Sequence, residues 1–312
     1  MQAYFSNKLK SFFPGAQQLV NYQFTHRPTL STASYLTRFD LTIRYGSRTA
    51  THHVRGNSID TETAKIFLKL HQKKTSFRSP RLLTYFPKPG YILYEEVLGS
   101  TLRELPFKSL RWPSTISAID KALADFHQTP TTTLRKLPWS AEATFIRACQ
   151  KNIVRHSPHR KTWAQKAVSA LLQHERTAWS RQTGLVHKDF QASNIILGKS
   201  IGIIDFTLSG QGPTIFDLGT FVTHLSVMSL GHLSAKKVTH LRETFLNAYI
   251  SNLKKSAQQM VIRDLPIFEL RSALDILSIT LQNVGEKSGA GKLYCDLLTK
   301  RIDSLVTQIE NQ

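Results

Sequence analysis

"GLVHKDFQASNIILGKSIGIIDF", residues 184–206, sets His187, Asp189, Asn194 and Asp205 at the edges of short apolar runs. Polar groups in such a place cost free energy unless they are paired. Either these four satisfy one another or they bind something. The runs are too short for helices and are broken by polar residues and glycine, so the stretch predicts a catalytic-type loop between short strands. A hairpin there would bring Asn194 and Asp205, eleven residues apart, to one place.

The surrounding chain is that of a soluble globular protein. Its 312 residues, 41% hydrophobic and 20% charged, can bury a large core and suit one bilobal unit or two domains. "MQAYFSNKLKSFFPG" has no leader-like apolar core with a small-residue cleavage site, and no stretch approaches the roughly 20 apolar residues of a membrane span. Cys149 and Cys295 stand far apart and outside any CxxC pattern. This argues for neither a disulfide framework nor a zinc site and fits a reducing, cytoplasmic setting. Forty-one Lys+Arg against 21 Asp+Glu give a net charge of +20, a field that favours anionic partners. Eight of these cations (Arg147, Lys151, Arg155, Arg160, Lys161, Lys166, Arg176 and Arg181) face only Glu142 and Glu175 between residues 140 and 181, a basic sector on predicted helices.

The texture changes once along the chain. Up to about residue 98, alternating runs such as "ASYLTRFDLTIRYG" and "GYILYEEVL" predict sheet. One helix, "TETAKIFLKLHQKK", interrupts them, with Asp60 or Thr61 as N-cap and Ala64, Phe67, Leu68 and His71 on one face. Beyond "STLREL" helical spacing dominates, as in Ile119, Leu123 and Phe126, and again in Trp163, Ala167, Val168, Leu171, Leu172 and Trp179.

Against that background the opening stretch matches H-x-D-x4-N followed by D-F, the signature of phosphoryl-transfer enzymes with the kinase fold. The residue types suit the chemistry. One carboxylate aligns an acceptor hydroxyl and takes its proton, while an amide oxygen and a second carboxylate hold magnesium against nucleotide phosphates.

From about residue 30 to 225 the chain resembles the aminoglycoside phosphotransferase and choline kinase family, small-molecule kinases related to protein kinases. "VHKDFQASNIIL" looks like that family's catalytic loop, "IGIIDFTLSGQGPTIFDLGTF" like its metal-binding strand and following segment, and "GYILYEEVLGSTL" like its interlobe hinge. The resemblance implies an α+β, protein-kinase-like bilobal fold, with a small antiparallel-sheet N-lobe over 1–96 and a mainly helical C-lobe over 97–312. It implies ATP and Mg2+ as cofactors and a small-molecule hydroxyl as acceptor. Asp189 would be the base, Asn194 and Asp205 would hold magnesium, and Asp217 would tie down the catalytic loop. His187 would be structural, and backbone at Glu95 and Val97 would meet the adenine edge. Only twelve positions separate Asp205 from Asp217 and no A-P-E follows, which argues against a protein substrate. "HKDFQASN" and "IIDFTLSGQGP" look closer to the family's sugar and amino-sugar kinases, and a +20 field does not concentrate a polycationic aminoglycoside.

Two features depart from the pattern. "HHVRG" offers Arg55 where a lysine is usual, with Glu62 as its expected ion-pair partner; arginine can grip phosphate bidentately. The phosphate loop "TLSTASY" supplies Ser31, Thr32 and Ser34 but no glycine. Elsewhere, "GEKSGAGKL" at 285–293 misses the Walker spacing and predicts a flexible loop. His52-His53 and His156-x-x-His159 lack companion metal ligands, and His127 is expected to pack beneath the hinge. The competing reading is a non-catalytic nucleotide-binding pseudoenzyme, or a basic nucleic-acid or membrane-surface binder on the same fold. The intact Asp189, Asn194 and Asp205 weigh against it.

Overall fold

Phe39, Leu41 and Ile43 alternate with polar residues, and a period of two turns all three to one face of a sheet, where they are buried. They lie on β2 (Tyr35–Tyr45) of a five-stranded sheet with β1 (Gln18–Pro28), β3 (Arg48–Ser58), β4 (Arg81–Phe86) and β5 (Tyr91–Glu95). The order is β1-β2-β3-β5-β4, with each neighbouring pair antiparallel. This computed structural model describes residues 1–28, 35–73, 75–106, 111–181, 183–230, 232–287 and 289–312. Ser31, Thr32 and Ser34 of the expected phosphate loop lie outside the described residues.

The sheet is covered on both faces. On one, α1 (Gln2–Phe12) buries Phe5, Leu9 and Phe12 against Phe39, Leu41, Ile43, Val54 and Leu93. This helix adds to the single one expected in the sheet half; its three apolar residues at i, i+4 and i+7 are a brief signal. On the other, α2 (Thr61–Gln72) starts at Asp60, whose side chain accepts a 2.7 Å bond from Thr63 N. Its buried face is Thr63, Ala64, Ile66, Phe67 and Leu70. Leu68 and His71, expected on that face, are exposed, because the sheet meets the stripe one position round from the one they mark.

The remainder is mainly helical: α3 (Trp112–His127), α4 (Trp139–His156), α5 (Lys161–Ala178), α6 (Ile215–Met228), α7 (Ala235–Ser251), α8 (Lys255–Asn283) and α9 (Gly289–Glu310). Ile119, Leu123 and Phe126 are fully buried, as their spacing predicts. Helix α6 crosses α8 at Gly219, where any Cβ would lie 2.6 Å from the backbone of Phe268. Helix α9 starts inside "GEKSGAGKL", so residues 289–293 are helical and not the expected loop.

Short strands frame the opening stretch. β8 (Ile195–Leu197) and β9 (Gly202–Ile203) form the expected hairpin, pairing Ile195 with Ile203 and Ile196 with Gly202. β6 (Ser100–Thr101), just after the hinge, joins its outer edge. β7 (Thr183–Val186) and β10 (Gly210–Pro213) pair antiparallel and close the loop from the other side. The architecture is α+β and protein-kinase-like, an antiparallel-sheet N-terminal part on a helical C-terminal part.

Among the described residues no helix is long and apolar enough to cross a membrane. The basic sector is less unopposed than its sequence suggests: Arg160 pairs with Glu286, Arg181 with Asp264 and Lys166 with Glu310, all acids outside that sector.

Candidate active site

The loop from His187 to Asn194, expected to be catalytic, is fixed from below by one buried carboxylate. Asp217, on the first turn of α6, accepts from His187 N (2.7 Å) and Lys188 N (2.8 Å). Its Oδ2 also contacts His127 Nε2 at 2.9 Å, and the other ring nitrogen of His127 meets the Tyr249 hydroxyl at 2.7 Å. His127 therefore supports the His187–Asn194 loop through Asp217 and does not pack beneath the hinge, because α3 presents it to α6 and α7. His187 is fully buried. Its Nε2 donates to Ile204 O (2.8 Å) while Nδ1 accepts from Asp189 N (3.3 Å), which requires the Nε2–H tautomer. The ring thus ties the loop to the strand that leads into Asp205.

Asp189 is held at both oxygens. Gln191 Nε2 donates to Oδ1 and Asn194 Nδ2 to Oδ2, each at 2.7 Å, and Asn194 Nδ2 also reaches Asp189 O at 2.9 Å. Burial, reinforced by the charge of Asp205, raises the Asp189 carboxyl above the ordinary aspartate range; His187, Asn194 and Gln191 pull the other way. With its amide nitrogen spent on Asp189, Asn194 keeps its Oδ1 uncommitted among the described residues.

Asp205 follows the hairpin, where Ile204 N donates to Asn194 O at 3.1 Å and brings the two residues side by side. Its Oδ1 accepts the Thr207 hydroxyl at 2.7 Å. Asn194 and Asp205 both line a cleft of about 580 Å³, together with Arg55, Phe67, Tyr94, Glu96, Val97 and Thr207. One carboxylate and one amide oxygen, with no His or Cys among the described residues that line the cleft, make a hard-oxygen pair of the kind magnesium takes. Phe206 seals the cleft floor, edge-on to Phe67 of α2 at 5.3 Å and stacked on Phe126 of α3 at 5.8 Å.

A family model described as the phosphotransferase enzyme family matches residues 61–258 of the 312. The chain belongs to this family. No curated protein matches the sequence. Among solved structures, choline kinase from Cryptosporidium parvum Iowa II aligns with a TM-score of 0.65 at 12% identity, covering 99% of this chain and 97% of that one. Plasmodium vivax ethanolamine kinase aligns with a TM-score of 0.55 at 13% identity over 90% and 81% of the two chains. A ternary complex of the aminoglycoside phosphotransferase APH(4)-Ia with AMP-PNP and hygromycin B aligns with a TM-score of 0.56 at 15% identity over 97% of each. These likenesses are of fold.

Within this phosphotransferase the expected residues divide into two sets. His187, Asp189, Asn194, Asp205 and Asp217 converge as described, and Val97 lines the cleft. Arg55 also lines it, as the only Lys or Arg among the described lining residues, but its partner is not Glu62. Its Nε and Nη2 donate to Glu96 Oε1 and Oε2 at 2.6 and 3.3 Å, because β3 runs beside β5 and aims Arg55 at the hinge. Glu62 instead pairs with Lys65 one turn on and accepts from Arg135 N at 3.0 Å. The Glu95 side chain is absent from the cleft lining and binds His52 and Arg81 behind the hinge.

Two contributors carried no sequence signal. Gln191 fixes an Asp189 oxygen from two positions away. Arg135 donates to the carbonyls of Thr207 (2.5 Å) and Ser209 (3.0 Å) and to Asp60 Oδ2 (2.8 Å), joining the loop after Asp205 to the start of α2. A fork of donors brought in by the chain between α3 and α4 makes that link, and local spacing does not encode it. The histidines His52 and His53 are occupied by Glu95 and Asp40. No cluster of three His, Cys, Asp or Glu suited to a metal occurs among the described residues.

Proposed function

We propose that this phosphotransferase moves the γ-phosphoryl group of ATP to a hydroxyl of a small molecule, of sugar or amino-sugar type. The observation that carries the reading is Asp189 held by Gln191 and bonded to Asn194, which itself lines the cleft with Asp205. The acceptor oxygen attacks the γ-phosphorus as its proton passes to Asp189, the bond from the γ-phosphorus to the bridging oxygen breaks, and ADP leaves. A carboxyl raised by burial is a better proton acceptor than a solvated aspartate. Asn194 Oδ1 and Asp205 would hold Mg2+, which supplies charge neutralisation at the phosphates. Hinge backbone near Glu95 and Val97 would meet the adenine edge, and Arg55 would serve the phosphates once exchanged from Glu96. Fixed donors and acceptors act here mainly by positioning.

The short span from Asp205 to Asp217, closed by β10 and α6, leaves no room for a segment that would dock a protein substrate and favours a small acceptor. The test is ATP turnover across a panel of sugars, amino sugars, amino alcohols and aminoglycosides with magnesium present. Transfer to a sugar or amino sugar is the expected result. MgATP binding with no transfer to any of them would favour a non-catalytic nucleotide binder.

A further inference from the structure

Lys188 stands between His187 and the base Asp189 at φ +68°, in the left-handed region that glycine enters freely and a lysine does not. Its ammonium is directed into the helical part, 2.9 Å from Oε2 of the fully buried Glu142 on α4, and its side chain is only 19% exposed. A glycine would adopt this backbone without strain and without desolvating a charge. A lysine here sets two unfavourable terms against one contact, the ion pair.

That contact belongs to a buried cluster. Glu142 Oε1 accepts from Arg271 Nε at 2.7 Å, and Arg271 Nη1 reaches Asp275 Oδ2 at 3.0 Å, both residues lying on α8. Glu175 of α5 is fully buried beside them with neither carboxyl oxygen bonded. Burial first, then the Glu142 charge, pushes its carboxyl well above the ordinary carboxylate range, which favours the neutral form. Glu142 and Asp275 are left to balance Lys188 and Arg271. Arg271 is further fixed over the rings of Phe145 and Phe216 at 4.5 and 4.7 Å. The Lys188 head group is thus held by charge at Glu142 of α4, on an oxygen with no hydrogen bond among the described residues. Helix α8 joins only through Arg271 on the other Glu142 oxygen, while the Lys188 amide is anchored to Asp217 on α6. With both ends fixed, the lysine sets the rotation of the peptide that leads into Asp189.

We propose that Lys188 is a positioning residue of the phosphotransferase, a strut from Glu142 that holds the catalytic loop in its left-handed turn and so directs the Asp189 carboxylate. This rests on the reading of Asp189 as base, and its test has an arm that does not need turnover. In crystal structures of Lys188→Met and Lys188→Gly, the Asp189 carboxylate is expected to leave Asn194 Nδ2 or Gln191 Nε2; an unmoved carboxylate in both overturns the proposal. In kinetics with the acceptor from the panel, both variants are expected to lose about 10²-fold in kcat with KM for MgATP unchanged. Lys188→Arg, which keeps charge and reach, is expected to recover most of that loss. Wild-type kcat in Lys188→Gly would show that the lysine only fills the turn. So would a loss that appears in melting temperature and KM with kcat retained. Should Lys188→Met fail to fold, Lys188→Gly, which relieves the backbone, gives the same readings. A wild type that transfers phosphate to no acceptor defeats the reading of the site, while the position of Asp189 in the variants still decides the role of Lys188.

Discussion

Asp205 sits at φ +64°, and asparagine is among the few residues that tolerate this conformation. Asp205→Asn therefore removes a charge at the cleft without straining the turn, and the Thr207 hydroxyl keeps an acceptor. We expect the variant to fold like wild type and to lose its magnesium-dependent nucleotide binding, read as the disappearance of the MgATP-induced rise in melting temperature. An undiminished rise would take Asp205 out of the metal site. Asp189→Asn should behave in the opposite way. It keeps oxygen and shape but cannot take a proton, so MgATP affinity persists while turnover drops by roughly 10²-fold or more. These residues were legible because they lie within one stretch of nineteen positions, 187–205, whose hairpin closes on itself. The partner of Arg55 was not. Glu62 was the expected partner, and only the pairing of β3 with β5 turns the guanidinium to Glu96 instead.

At the scale of elements, α2 and the loop after Asp205 come from different parts of the chain and are joined by Arg135. Its guanidinium bonds Thr207 O, Ser209 O and Asp60 Oδ2 at once, and its own amide caps Glu62. Hydrogen bonds from a charged donor contribute about 1.5–3 kcal/mol each when intact, less where solvent screens them. Arg135→Ala should loosen the Asp205 loop from α2 and weaken MgATP binding several-fold, measured by calorimetric titration. Arg135→Lys should rescue little, because the three acceptors are met by three separate guanidinium nitrogens, whereas an ammonium offers one nitrogen. Equal affinity in wild type and Arg135→Ala would mean that the two elements are aligned by packing alone, through Phe67 and Phe206. Helices α3 and α5 were readable from long apolar periods. The face of α2 was misjudged by one position, since its apolar residues spread around the helix and the sheet it packs on chooses among them. Helix α1 escaped notice because three aromatic and aliphatic contacts in eleven residues become a helix only when a sheet face needs cover.

For the whole molecule, the pH dependence of stability is shaped by groups buried without full compensation. Asp120 on α3 is buried with its Oδ1 unpaired, and burial pushes its carboxyl up to about 7. The folded state therefore holds a proton that the unfolded chain, at the ordinary aspartate value of about 4, gives up earlier. Stability falls as pH rises from about 4 to about 7 on this account, by roughly 4 kcal/mol in full, and is level beyond. His224 on α6 has the opposite sign. Burial, with Arg271 and Arg103 adding to it, lowers the ring to about 4, so it resists protonation when folded, and stability is lost as pH falls from about 6.5 to about 4. The two slopes oppose each other over the same interval, and wild-type stability should vary less across it than either group dictates alone. Asp120→Asn separates them. The variant should match wild type near pH 4, gain on it steadily up to about pH 7, and keep a constant advantage above that, while the wild-type protein shows a shallower profile. Denaturant midpoints measured at several pH values between 4 and 8 give the difference directly. A difference that does not change with pH would mean that Asp120 is ionised in the fold and that its carboxylate finds compensation which its unpaired Oδ1 does not reveal.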